Sequence, residues 1–333
     1  MSQTHQTSIK GGSLRRQSVR FLRRLGFREE AFLVVLACAI GALTGAGSVG
    51  FTKLISLCHQ FCYGIGEHSG LYGGHNLLLI LLPAGGALLV GAVTFFFARE
   101  ARGHGVPEVM DAIARKEGVV RPRVALAKAV ASALTIGSGG SAGTEGPIIQ
   151  IGAAIGSTIG QFFQIARHNL PVLVGCGAAA GISAIFHAPI AGVLFALEIF
   201  LRELNFKTFS PVLIASVVSS IVVSAMLGSN EAIFPLVNPE SYSFRWFELG
   251  NYVLLGLLCA AAAVTFVKLL YATEDLFDRL KVHHIAKPVI GAVGLGLLGL
   301  LSVNLVPDAW NGEPSIFGNG YRLIGQCIGA DPA

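Results

Sequence analysis

Charge is what this sequence has least of. Only 13% of its 333 residues are Asp, Glu, Lys or Arg, where an ordinary soluble domain carries about a quarter. With 53% hydrophobic residues and a mean hydropathy of +0.66, that scarcity excludes a soluble globular protein and points to an integral membrane protein. No polar stretch is long enough for a soluble domain. The net charge of +5 does not signal a nucleic-acid surface. Residues 1–30 hold Lys10, Arg15, Arg16, Arg20, Arg23, Arg24 and Arg28 against Glu29 and Glu30, a surplus of five that equals the charge of the whole chain. Only Phe21 and Phe27 interleave those cations, so the run reads as a cytoplasmic flank obeying the positive-inside tendency rather than an RNA-binding tail. No small-residue cleavage pattern follows it, which argues against a signal peptide.

Catalytic and metal-binding signatures are missing as well. The six cysteines, Cys38, Cys58, Cys62, Cys176, Cys259 and Cys327, are scattered through apolar segments and read as small buried hydrophobes. Cys58 and Cys62 share helical spacing, but no second Cys/His pair completes a metal site. Gly45-Ala46-Gly47-Ser48-Val49-Gly50 matches the dinucleotide fingerprint, yet lies within an uncharged span rather than a strand–turn–helix. Close helix packing through small residues explains it better. The run Gly137–Gly143 lacks the Gly-Lys-Ser/Thr of a phosphate loop. Ser138 and Ser141 have no histidine at triad spacing. No cofactor and no metal are expected, and an enzyme ranks behind the other readings.

What is present is a series of apolar segments: Ala31–Thr52, Asn76–Ala98, Gly103–Lys116, Pro122–Ile136, Glu145–Ile165, Pro171–Ile185, Pro189–Leu201, Ser210–Leu227, Phe247–Leu270 and Pro288–Val306. Several are short and begin with Pro or Gly, which mark helix boundaries. Such interrupted segments are the sequence sign of broken helices that meet at a binding site near the membrane midplane. Gly103–Ile113 is echoed by Gly318–Ile328, each after a Gly/Leu-rich span opened by a proline, Pro83 or Pro288. The echo implies a first repeat over about 31–227 and the start of a second over about 247–333. The interval from Gly103 to Glu145, carried forward from Gly318, ends near position 360, past Ala333.

Glu145 is the one charged residue between Lys128 and Arg167. A carboxylate at bilayer depth costs several kcal/mol unless it faces a cavity or partner. Irregular glycine-rich backbone at that depth survives only where it lines a cavity. Glycine-rich helix starts near Gly103–Pro107 and Gly143–Pro147 offer free N–H groups and a partial positive charge. They form an anion site weak enough to release its ion, as permeation requires. Glu145 would fill the anion's place when ionised and leave it when protonated, which makes it a gate.

These residues resemble the CLC family of chloride channels and proton-coupled chloride antiporters, from about Ala31 onward. Gly103-His104-Gly105-Val106-Pro107-Glu108 is similar to the family's GSGIPE element. Gly143-Thr144-Glu145-Gly146-Pro147 is similar to GREGP, whose glutamate is the external gate. Gly177–Gly181 with Phe186–Glu198 resembles the GAAAG…FNAPLAG…E stretch.

The resemblance implies an all-α polytopic fold with an inverted repeat of broken, tilted helices, the second repeat incomplete. A basic cytoplasmic segment (1–30) precedes a transmembrane domain (31–333). It implies chloride transport gated by Glu145, with anion contacts from Gly103, His104, Gly105, Val106, Gly143, Thr144, Gly146 and Pro147. Residence in an inner or plasma membrane with a cytoplasmic N-terminus, contact with lipid, and a homodimer in the complete form follow from it, with Pro189–Leu227 supplying half of the interface.

Three positions depart from the family pattern. His104 replaces a serine that helps hold the anion, and Thr144 replaces a basic residue beside the gate. Ile199 stands where antiporters carry a second, proton-transferring glutamate, and channels carry an apolar residue. Passive conduction therefore ranks ahead of proton antiport, with Glu198 a minor candidate for a proton path. The family's GxFxP loop and anion-coordinating tyrosine fall past Ala333, which adds a third reading, a non-conducting fragment.

Overall fold

The computed structural model describes residues 29–68, 77–96, 103, 105–202, 205–228, 246–305 and 316–327. Among the described residues the chain is helical throughout its regular elements. In chain order these are α1 (Glu29–His68), α2 (Leu78–Phe96), α3 (Val106–Arg115), α4 (Pro122–Gly137), α5 (Glu145–Phe162), α6 (Leu170–Phe186) and α7 (Pro189–Phe195). A π-helical stretch (Ala196–Leu201) continues α7, and α8 (Phe206–Leu227), α9 (Glu248–Arg279), α10 (Ala286–Leu305) and α11 (Tyr321–Cys327) follow. The basic segment 1–28 and the polar segment 229–245 lie outside the described residues.

Five of the described helices are long and apolar enough to cross a membrane: Ala31–Gly64 within α1, then α2, α8, α9 and α10. The remainder are the short helices that interrupted sequence predicts. Proline marks their starts as expected. It occupies the first turn of α3, α4, α6 and α7, where the missing N–H is one that no helix would use.

Several boundaries differ from the sequence expectation, and two of them, the ends of α1 and α9, share one physical reason. Apolar runs end where charges begin, but backbone hydrogen bonding does not. α9 therefore runs past Leu270 to Arg279, carrying Glu274, Asp275 and Asp278, and α1 runs past Thr52 to His68. Forty residues of α1 span roughly 60 Å at 1.5 Å per residue, about twice the hydrocarbon thickness. α8 starts at Phe206 rather than Ser210, because Asn205 Oδ1 accepts from the Lys207 N–H at 3.3 Å and caps it. The single segment expected over Pro189–Leu201 is instead an α-helix that widens into a π-helix, closed by the Arg202 N–H donating to Leu197 O at 2.7 Å.

α6 is the centre of the molecule. Fourteen of its seventeen residues are buried, and it packs on α5, α8 and α1. Lipid tails are as apolar as leucine, so close packing and polar contacts hold such helices together more than hydrophobicity does. Gly152 of α5 and Gly177 of α6 show how close they come. A Cβ on either would lie about 2 Å from the other's carbonyl oxygen (2.1 and 1.9 Å). Three serine bonds, each at 2.8 Å, tie these helices together: Ser183 Oγ of α6 donates to Ser216 O of α8, Ser219 Oγ of α8 to Ala180 O of α6, and Ser216 Oγ joins α8 to α7 through Pro189 O. Gly45, from the dinucleotide-like run, sits against Ser219 of α8, whereas Gly50 meets nothing. Packing is thus the role of part of that run. Of the cysteines, Cys176 is buried as expected, but Cys259 and Cys327 are exposed, because α9 has no buried residue and α11 is a short peripheral turn. α10 lies against α2.

Candidate functional site

Glu145 is the first residue of α5, and Thr144 is its N-cap. Thr144 is buried and Glu145 half-buried. The Thr144 hydroxyl does not cap the helix. It faces Tyr321 instead, with Thr144 Oγ1 and Tyr321 Oη 3.4 Å apart. The Glu145 side chain folds back across the backbone before its own helix: Oε2 lies 1.9 Å from where a Cβ on Gly143 would stand. Only glycine leaves room for that placement. The carboxylate therefore lies beside the helix N-terminus, where the backbone N–H groups and helix dipole favour negative charge.

The second glycine-rich start meets the first, as the sequence predicts. Gly103 and Gly105 take left-handed φ values of 97° and 93°, and the chain enters α3 at Val106. A Cβ on Gly105 would fall 2.5 Å from Gly146 O, so the two backbones touch. Glu108, in the first turn of α3, accepts from the Gly105 N–H at 2.8 Å. Val106 packs against the main core, and Pro147 is buried in the first turn of α5. His104 lies outside the described residues.

Two residues absent from the sequence expectation belong here. The first is Lys128 of α4. It is 7% exposed, and its Nζ donates to the Gly103 carbonyl, with Glu108 as an opposite charge nearby. A buried cation costs several kcal/mol unless it is paired and hydrogen-bonded, and this one is spent on holding the Gly103–Gly105 turn. Its isolation within an apolar helix was the available signal.

The second is Tyr321 of α11. Its Oη lies 2.7 Å from Glu145 Oε1. The segment that carries it is held against the loop before α5: the Ala142 N–H donates to Gly318 O at 3.1 Å, the Phe317 ring lies against Gly139, and Phe186 of α6 faces the Tyr321 ring at 6.4 Å. The turn before α11 repeats the one before α3. Gly318 and Gly320 have φ of 75° and 74°, and a helix starts at the next residue in both. The sequence echo between Gly103–Ile113 and Gly318–Ile328 was the signal for this residue.

Glu198 and Ile199 lie on the π-helical stretch. Glu198 is exposed and takes no part in the hydrogen bonds around Glu145, while Ile199 packs against the main core. Beyond α3, a cavity of about 520 Å³ is lined by Glu108, Asp111, Lys116, Arg121 and the buried Gln150.

Comparison with known proteins identifies the family. The family model described as voltage gated chloride channel matches residues 86–332, well over half of the chain. The H(+)/Cl(−) exchange transporter ClcA of Salmonella arizonae is 32% identical over 326 residues, covering 92% of this chain and 64% of that protein. Chloride channel protein CLC-f of Arabidopsis thaliana is 30% identical over 310 residues, covering 83% of this chain and 38% of that protein. The chain thus spans less than two thirds of the length of either relative. Among solved structures, a slow cyanobacterial Cl−/H+ antiporter superposes with a TM-score of 0.77 at 25% identity, covering 92% of this chain and 69% of that one. A multi-pass helical membrane protein with this site, this family match and these relatives belongs to the voltage-gated chloride channel (CLC) family.

Proposed function

We propose that this chain moves chloride across a membrane in exchange for protons, with Glu145 as the gate. The observation that carries the reading is the Glu145 carboxylate lying over Gly143 at the start of α5, where the α3 turn abuts Gly146. In that position the carboxylate and a halide compete for the same N–H groups. Gly103, Gly105 and Val106 supply one wall and Gly143, Thr144, Gly146 and Pro147 the other. The Gly105 N–H is itself taken by Glu108 and Pro147 has none, so these two shape the site rather than donate to the ion. His104 joins them through the sequence pattern. A proton on Glu145 cancels its charge and lets the side chain leave; the anion then takes its place. Loss of the proton on the opposite side returns the carboxylate, and repeated cycles exchange the two ions. Weak, dipole-based binding suits such turnover, since a full cation in the path would retain the anion.

The relatives support exchange over simple conduction, which reverses the order drawn from Ile199 alone. ClcA is named an exchange transporter and the cyanobacterial structure an antiporter. Passive conduction stays as the second reading, favoured by Ile199 and by the channel name of the Arabidopsis relative. The surplus of cations in residues 1–30 supports a cytoplasmic N-terminus through the positive-inside tendency. α7 and α8 offer half of a subunit interface in a homodimer.

Chloride-loaded liposomes containing the purified chain distinguish the readings. An outward chloride gradient drives protons inward against a pH gradient if the ions are exchanged. Chloride efflux without proton movement supports conduction and overturns exchange.

A further inference from the structure

Tyr321 lies far from Glu145 in sequence, and Oη and Oε1 meet at 2.7 Å. An ionised carboxylate accepts hydrogen bonds only, so the tyrosine is the donor. With its proton committed to the carboxylate, Tyr321 Oη can only accept from the Thr144 hydroxyl 3.4 Å away. The result is a directed chain, Thr144 to Tyr321 to Glu145, ending on the charge. The backbone holds this geometry: Gly318 and Gly320 turn the chain with positive φ, and Gly318 O is tied to the Ala142 N–H.

We propose that Tyr321 is a positioning residue for the gate, a hydroxyl latch that holds the Glu145 carboxylate in its place over Gly143. The proposal rests on reading Glu145 as the gate and adds what sets its resting position. The latch discriminates between charge states of the glutamate. A phenol donates strongly to a carboxylate and roughly twice as strongly as to a neutral group. Protonation therefore loosens the latch at the moment the anion needs the space. Other charged or titratable groups face this spot from neighbouring elements. Glu108 of α3 and Lys128 of α4 stand behind the Gly103–Gly105 turn, and Tyr63 of α1 lies against Gly139 with His59 stacked on it. α6 presents Phe186. Of these only Tyr321 has its oxygen in hydrogen-bond contact with the Glu145 carboxylate among the described residues.

Infrared difference spectroscopy of the chain in liposomes tests the latch without depending on ion flux. The protonated-carboxyl band of Glu145 is the one that E145Q removes, and its intensity is followed across pH in the parent, Y321F and T144V. Y321F deletes one oxygen from a half-buried ring and leaves the Phe186 contact. The expected result is a band midpoint about one pH unit higher in Y321F, a tenfold change in protonation equilibrium, and a smaller move in the same direction in T144V. A midpoint unchanged in Y321F overturns the latch. If E145Q removes no titrating band, Glu145 does not change protonation and the gate reading itself fails, with the latch.

Discussion

At the scale of single residues, the site depends on what glycine permits and what one lysine holds. Gly105 combines a positive φ with contact against Gly146 O. Gly105→Ala pays about 1–2 kcal/mol for the left-handed backbone and forces the two helix starts apart as well. The expected outcome is a lower unfolding temperature in detergent together with loss of chloride flux. Lys128→Met leaves the Gly103 carbonyl and Glu108 without their cation. Loss of a charged hydrogen bond costs about 1.5–3 kcal/mol, so the variant should melt at a lower temperature, and the double substitution with Glu108→Gln should be less affected than the sum of the singles. A double variant as unstable as the sum of the singles would show that the two charges do not act together. Glu145, Gly103, Gly105, Gly143 and Gly146 were legible in the sequence because a lone charge and helix-start glycines stand out against apolar surroundings. Lys128 and Tyr321 carried only indirect signals, an isolated cation in an apolar helix and the glycine-turn echo, because their partners lie 25 and 176 residues away.

Elements obey a different rule, that of close approach. The crossing of α5 and α6 at Gly152 and Gly177 leaves no space for a methyl group. Gly152→Ala overpacks it at about 1–3 kcal/mol. Gly256 of the exposed α9 has nothing within contact and supplies the control. Gly256→Ala should leave the melting temperature unchanged or slightly raised, because alanine is the better helix former, while Gly152→Ala lowers it. Equal effects at the two positions would mean that the α5–α6 contact is not where stability resides. Helix existence and order were readable from hydropathy and proline. The C-terminal ends of α1 and α9, and the π-helical widening after α7, were not. Hydropathy reports where lipid ends rather than where the backbone stops hydrogen bonding, and a π-turn leaves no mark in composition.

On the scale of the whole molecule, α6 is packed among α1, α5 and α8, and three chain segments meet around Glu145: the α3 turn, the α5 start and the turn before α11. The α3 and α11 turns share their glycine conformations; the first abuts Gly146 just after Glu145 and the second is bonded to the loop just before it. Everything functional in this account passes through that side chain. Chloride efflux from liposomes, measured over a series of pH values for the parent chain and Glu145→Gln, is the most direct test. Efflux by the parent chain is expected to vary with pH, whereas the amide variant, which cannot change charge, is expected to pass chloride at a rate independent of pH. A Glu145→Gln variant that keeps the parent's pH dependence would contradict the gate reading.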